Sequence, residues 1–256
     1  MSESPLKVSL ENDGKLLRLT LARPKANIVD ATMITALSDA LSEHLHGRSL
    51  RGVLIAAEGP HFSFGASVEE HLPSSCAQML KQLHALVLAL VESPVPVLVA
   101  VRGQCLGGGL EVAAAGNLLF ASPSAMLGQP EIKLAVFAPA ASCILPERIG
   151  RAHAEDLLFS GRSIDAQEAY RIGLVHSVSE DPEQAALDYF DQYLAPVSAS
   201  TLRFAVAAAR NEVVQRIRAR IAFVENLYLG ELMSTHDAVE GLNSFIEKRP
   251  AVWQDQ

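Results

Sequence analysis

The sequence predicts an α/β layered core followed by an all-helical C-terminal region, and three observations carry that prediction. Short apolar runs alternate with helix-period segments as far as Val178. Nothing after Asp181-Pro182 reads as a strand. Between these, an apolar run from Val95 to Val101 leads through Gly107-Gly108-Gly109 into the small-residue stretch Leu110-Glu111-Val112-Ala113-Ala114-Ala115, which reads as a buried helix. The expected division is a core over 1–181 and a helical region over 182–256.

Residues 6–11 and 15–22 alternate around Asn12-Asp13-Gly14, with Leu17, Leu19 and Leu21 on one face, so a hairpin with an Asp-Gly turn is expected. Pro24, within Arg23 to Asn27, breaks the second strand. Asp30 is a good N-cap for a helix to about residue 46, since Met33, Ile34, Leu37 and Leu41 recur at helical spacing. Gly52 to Ala57 is a short buried strand, followed by a turn-rich loop over 61–67. A helix over 77–92 and a strand over 96–101 come next, then strands at 117–121 and 125–127. Gly150 and Gly161 stop helices at 140–149 and 152–159. Residues 163–166 cap a helix that ends at Gly173, and Leu174 to Val178 is a strand. Helices at 183–194, 199–210, 213–233 and 236–247 complete the chain.

Composition narrows the function. Of 256 residues, 49% are hydrophobic but only 5% aromatic, so the core is aliphatic and alanine-rich. A net charge of −8 argues against nucleic acid or an anionic membrane as partner. Cys76, Cys105 and Cys143 are odd in number and widely spaced, which reads as reduced thiols in a cytoplasmic protein. The start, Met1-Ser-Glu-Ser-Pro, has no signal-peptide pattern. The apolar stretch Leu83 to Val101 is interrupted by Glu92, Pro94 and Pro96, so it is a helix and a strand and not a membrane span. His61, His153 and His176 lack metal-ligand spacing, and no metal is expected.

The chemistry concentrates at the glycines. A strand that turns through glycines into a helix leaves the first helical N–H groups unpaired and aimed at one spot. The peptide dipoles add partial positive charge there, and the missing Cβ atoms let a ligand oxygen approach. Glu111 lies in the first helical turn, and a second carboxylate, Glu131, follows on the irregular Gly128-Gln129-Pro130-Glu131 segment. Anion-cradling amides with two carboxylates point to an enolate-stabilising acid–base site. The G-x-G-x-x-G spacing of a dinucleotide site is not met.

Six ordered segments resemble the crotonase (enoyl-CoA hydratase/isomerase) family: Arg23-Pro24-Lys25-Ala26-Asn27, Phe62-Ser63-Phe64-Gly65-Ala66, Leu106 to Glu111, Leu127 to Ile132, Gly161 to Ala169 with Gly173-Leu174-Val175, and Glu240-Gly241 with Phe245 to Pro250. The resemblance implies a spiral of ββα units, as in the ClpP/crotonase fold, with C-terminal helices that form a homotrimer or a dimer of trimers. It implies an acyl-CoA substrate and no further cofactor. An oxyanion hole for the thioester oxygen maps to the amides of Ala66 and Gly108. Glu111 maps to the base that activates water and Glu131 to the proton donor. Retention of both favours a hydratase over relatives that hydrolyse, isomerise or dehalogenate. Arg23, Lys25, Ala26 and Phe64, with Lys248 near the C-terminus, map to coenzyme A contacts.

Two departures bear on the acyl group. Ser67 replaces the family's Asp beside the oxyanion segment, and Phe137-Ala138-Pro139-Ala140-Ala141-Ser142 replaces a glycine-rich turn, with Phe137 expected to line the acyl pocket. The runs at 26–30 and 62–71 are most similar to family members that hydrate cyclohexa-1,5-diene-1-carbonyl-CoA to the 6-hydroxycyclohex-1-ene product in anaerobic aromatic degradation. The alternatives are a short-chain enoyl-CoA hydratase/isomerase and an idle CoA- or RNA-binding relative.

Overall fold

The computed structural model describes residues 4–256. Strands β1 (Leu6–Glu11) and β2 (Leu16–Leu21) form the expected antiparallel hairpin. Helix α1 (Ala31–His44) begins at Asp30, whose carboxylate accepts the Met33 N–H at 3.0 Å. Then follow β3 (Gly52–Ala57), α2 (Cys76–Val91), β4 (Val97–Val101), β5 (Gln104–Leu106) and α3 (Gly108–Ala115). Next are β6 (Leu118–Ala121), β7 (Met126–Gly128), a 3₁₀ turn over Pro130–Leu134, α4 (Pro139–Ser160, kinked at Gly150), β8 (Ser163–Asp165), α5 (Ala166–Arg171) and β9 (Ser177–Val178). The chain closes with α6 (Pro182–Tyr189), a π-helical turn over Phe190–Leu194, α7 (Ala199–Gly230) and α8 (His236–Ile246).

Six strands pair in the order β1-β2-β3-β4-β6-β9, parallel from β2 onward, and three form a second sheet in the order β5-β7-β8. In the repeating unit β4–β5–α3 the first strand joins the large sheet, the second joins the small one, and a helix returns the chain. The pair β6–β7 and the segment leading into α4 repeat it, which is a spiral of ββα units. Strands β3 and β4 are buried on both faces, as parallel strands must be when both sides of the sheet are covered. Helices cover one face. The other is sealed by α6 and the turn after it, where Phe190 packs with Leu16, Leu54, Leu98 and Phe120.

Three expectations needed correction. The helices placed at 199–210 and 213–233 are one, α7, because Asn211 and Glu212 lie on its surface and neither breaks a helix. Strands β5 and β8 add to the expected set, the first where no element is expected and the second within the expected helix cap, since three residues carry too little alternation to register. The last strand shrinks from 174–178 to two residues.

The loops that carry the site are held by side chains in the interior. Asn27 is 1% exposed. Its carbonyl accepts the Arg23 N–H at 2.9 Å and its amide donates to Glu58 O at 3.0 Å and His61 O at 3.1 Å. It also holds φ at 44°, a left-handed conformation that Asn tolerates better than a residue without a local hydrogen bond. Asn27→Ala is expected to cost about 2–3 kcal/mol, because it strands buried partners and strains the turn. A urea melt will show this as a lowered midpoint at unchanged slope.

Candidate active site

Three backbone segments meet at the site without intervening side chains. Phe62 N–H donates to Arg102 O (2.8 Å), Ser63 N–H to Gln104 O (3.0 Å), and Leu106 N–H to Ser63 O (3.0 Å). Gly107 N–H then donates to Gly128 O at 3.0 Å, which ties in the third segment. Glycine is required at this crossing. A Cβ on Gly109 would stand 2.6 Å from Ser63 Cβ, and one on Gly108 would stand 3.0 Å from Ala66 Cβ and 3.1 Å from Ala66 N. Gly107 sits at φ 50° as the residue before α3, and a Cβ there would lie 2.6 Å from Glu131 Oε1.

This crossing brings the backbone of Ala66 next to that of Gly108. Neither N–H has a protein acceptor among the described residues. Gly108 opens α3, so its N–H also carries the positive end of the helix dipole. Both residues line a cleft with Phe64, Phe137, Glu111 and Glu131. Its remaining wall is largely apolar, from Leu80, Leu83, Val136 and Leu242 among others.

The two carboxylates share this cleft in unequal settings. Glu111 is 3% exposed and accepts the Ala141 N–H at 2.9 Å from the first turn of α4. Burial raises its pKa, while the Ala141 hydrogen bond and the charge of His84 pull the other way. Glu131 is pushed up to about 8, first by burial and then by the negative charge of Glu111. Burial thus pushes both carboxyl groups toward the neutral form, and the charge of Glu111 adds to that push on Glu131. The buried Gln129 amide faces Glu131 and suits either state. Its NH₂ can donate to both carboxylate oxygens, at 3.1 and 3.0 Å, and the amide turned over can accept from the neutral acid.

The basic candidates stand elsewhere. Arg23 is engaged by Asp30 (2.6 and 2.8 Å) and donates to Ile28 O (2.8 Å), so it braces its own loop. Lys25 and Lys248 are exposed and make no ion pair among the described residues. Ala26 accepts the Phe64 N–H at 2.9 Å and so anchors a residue that does line the cleft. None of these four is on the cleft wall. The sequence reading passed over Gln129, His71 and Leu242. Gln129 and His71 lie inside segments already noted, whereas Leu242 has no local signal, because tertiary packing alone brings it to the cleft. No group of three metal-ligating side chains occurs among the described residues, and none of their helices is long and apolar enough to cross a membrane.

Comparison with known proteins agrees with this architecture. The family model described as enoyl-CoA hydratase/isomerase matches residues 11–256. The chain belongs to that family. A Thauera aromatica protein named cyclohexa-1,5-dienecarbonyl-CoA hydratase is 67% identical over 258 residues, covering 100% of both chains. The Rattus norvegicus mitochondrial methylglutaconyl-CoA hydratase is 32% identical, covering 88% of this chain and 74% of that one. A crystal structure of an enoyl-CoA hydratase/isomerase from Pseudoalteromonas atlantica superposes with a TM-score of 0.84 at 29% identity, covering 97% and 99% of the two chains. An enoyl-CoA hydratase from Mycobacterium avium subsp. paratuberculosis shares the fold at a TM-score of 0.85 and 24% identity, covering 98% and 99%. The crotonase fold and the helical C-terminal region are thus those of this enoyl-CoA hydratase/isomerase family.

Gly107→Ala tests the crossing. The added methyl must displace Glu131 and forces alanine into φ 50°, so turnover is expected to fall by at least about 10²-fold, the scale of a lost acid–base group. The stability cost should be only about 1–2 kcal/mol. Steady-state assays and thermal melts on one preparation will separate the two effects.

Proposed function

We propose that this protein adds water to cyclohexa-1,5-diene-1-carbonyl-CoA, forming 6-hydroxycyclohex-1-ene-1-carbonyl-CoA. The observation that carries the reading is one cleft holding two carboxylates of unlike proton affinity beside two free backbone donors. The full-length 67% identity to the Thauera aromatica hydratase supports the choice of acyl group.

The thioester oxygen lies against the Ala66 and Gly108 amides. Those donors stabilise the negative charge that appears there as the nucleophile adds, and a water-poor cleft strengthens them. Ionised Glu111 takes a proton from water as its oxygen bonds to the β-carbon. Electrons move through the diene to the thioester oxygen, giving a dienolate. Neutral Glu131 then donates its proton to the γ-carbon, and the double bond re-forms between the α-carbon and the former second alkene. One water is added in all, and the proton gained by Glu111 returns to Glu131 through solvent. Because the two new bonds lie across a ring, the acid must reach past the α-carbon. A flat ring also calls for a broad apolar slot, which Phe137 and the aliphatic wall supply. The coenzyme A portion extends toward solvent past Phe64, with Lys25 and Lys248 as its phosphate partners. A trimer, or a dimer of trimers, covers exposed aromatics such as Phe204 and Phe223 on α7.

Three outcomes test this. Glu111→Gln and Glu131→Gln should each lower turnover by about 10²–10⁴-fold. Activity should fall as pH rises through about 8, where Glu131 loses the proton it must donate, and Glu131→Gln should abolish that limb along with most of the rate. A panel of CoA thioesters should show the cyclic diene preferred over crotonyl-CoA, and exclusive use of crotonyl-CoA would overturn the assigned substrate.

A further inference from the structure

One polar side chain on the cleft wall has no part in the reaction as described. His71 closes the 3₁₀ turn Glu69–His71 and lines the cleft beside Leu80 and Leu83 from α2 and Leu242 from α8. That turn packs on both helices, so the imidazole stands in the apolar part of the wall. Its Nδ1 is 2.7 Å from Ser67 O. A carbonyl can only accept, so Nδ1 carries a proton. Nε2 has no partner in the protein among the described residues. Glu69 accepts from the Ser67 hydroxyl and Glu70 from the Ala31 N–H, so neither carboxylate of the turn pairs with the ring. Burial lowers the pKa of His71 against the opposing pull of the Ser67 carbonyl, which favours the neutral ring. A neutral imidazole with its proton on Nδ1 presents the Nε2 lone pair as an acceptor.

We propose that His71 is a specificity-determining residue whose Nε2 accepts a hydrogen bond from a hydroxyl group on the acyl portion of the ligand. This rests on the reading of the cleft as the place where water is added to a cyclic dienoyl-CoA. A leucine at this position would complete the apolar wall, whereas an open acceptor among leucines costs free energy until a donor meets it. The carboxylates of the cleft have protein donors of their own, Ala141 N–H for Glu111 and the Gln129 amide for Glu131. The diene ring has no N–H or O–H to offer. The hydrated ring has one, the hydroxyl that the addition creates. His71 therefore tells the hydrated acyl group from the bare hydrocarbon by one hydrogen bond, and a cleft shaped for a flat apolar ring also holds the alcohol. The bond to Ser67 O fixes which nitrogen is free and how the ring is turned, so the acceptor is set before the ligand arrives.

The test compares two inhibitors of diene hydration, the product 6-hydroxycyclohex-1-ene-1-carbonyl-CoA and its deoxy analogue cyclohex-1-ene-1-carbonyl-CoA. Their inhibition constants are measured in the wild type and two variants. An asparagine amide can stand in for Nδ1–H, and a glutamine amide for Nε2. His71→Asn thus keeps the donor to Ser67 O and removes the acceptor, while His71→Gln restores an acceptor without that tie. In His71→Asn the product should bind about tenfold more weakly, the deoxy analogue as before, and Tm should stay near that of the wild type. In His71→Gln the product should regain most of its advantage over the deoxy analogue, even where Tm falls. A histidine that only ties the turn to Ser67 gives another pattern: both ligands unchanged in His71→Asn and both weakened alike in His71→Gln. That pattern, or an equal change for the two thioesters in His71→Asn, overturns the role of His71 alone. A wild type that does not hydrate the diene overturns the proposed reaction and the role of His71 with it. Should His71→Asn not fold, His71→Leu takes its place, read by the same ratio of the two constants.

Discussion

Gly107 and Gly108 stand where two other backbones come within contact distance, and most of the site follows from that crowding. A methyl group at either position would meet Glu131 or Ala66, so the crossing excludes every side chain larger than hydrogen. What remains is bare peptide, and bare peptide has N–H groups to offer. The ladder from Phe62 through Leu106 to Gly128 uses up the neighbouring donors and leaves those of Ala66 and Gly108 free. The polar capacity of the cleft is thus left over from its packing. It costs little reorganisation when charge develops on a substrate oxygen, because the donors are fixed in advance.

The same crowding sets the two carboxylates against each other. Glu111 and Glu131 come from different ββα units and meet only because β5 and β7 pair. In water both would be ionised at neutral pH. In an apolar cleft the second charge is disfavoured by the first, and small asymmetries decide which group yields. Glu111 has the Ala141 amide, whereas Glu131 has a Gln129 amide that serves either state. In the proposed reaction it is these surroundings that decide which glutamate is base and which is acid, since the residue type is the same.

Much of this was legible in the amino-acid order. The strand–glycine–helix passage announces its free amides, and Glu111 is placed by being in the same turn. Asp30 as N-cap and the Asp-Gly hairpin are local signals, and both hold in the structure. What escaped was nonlocal or too short to show a period. β5 and β8 have three residues each and take their strand character from their partner, β7. Arg23 reads as a free cation until Asp30, seven residues on, is seen to hold it. His84 sits in an apolar helix as one more buried residue, and its partner Glu225 is 141 positions away. Side chains paired across such a separation leave no mark in a window of sequence.

The central claim is that one proton is shared unequally between two facing glutamates at neutral pH. The most direct measurement is ¹³C NMR of the side-chain carboxyl carbons in glutamate-labelled protein, titrated from acid to base, with Glu111→Gln and Glu131→Gln used for assignment. The account predicts that at pH 7 the Glu111 resonance is that of a carboxylate, while the Glu131 resonance is that of a neutral acid and moves only as pH passes about 8. Two carboxylate signals at pH 7, each titrating in the range of a solvent-exposed glutamate, would contradict it.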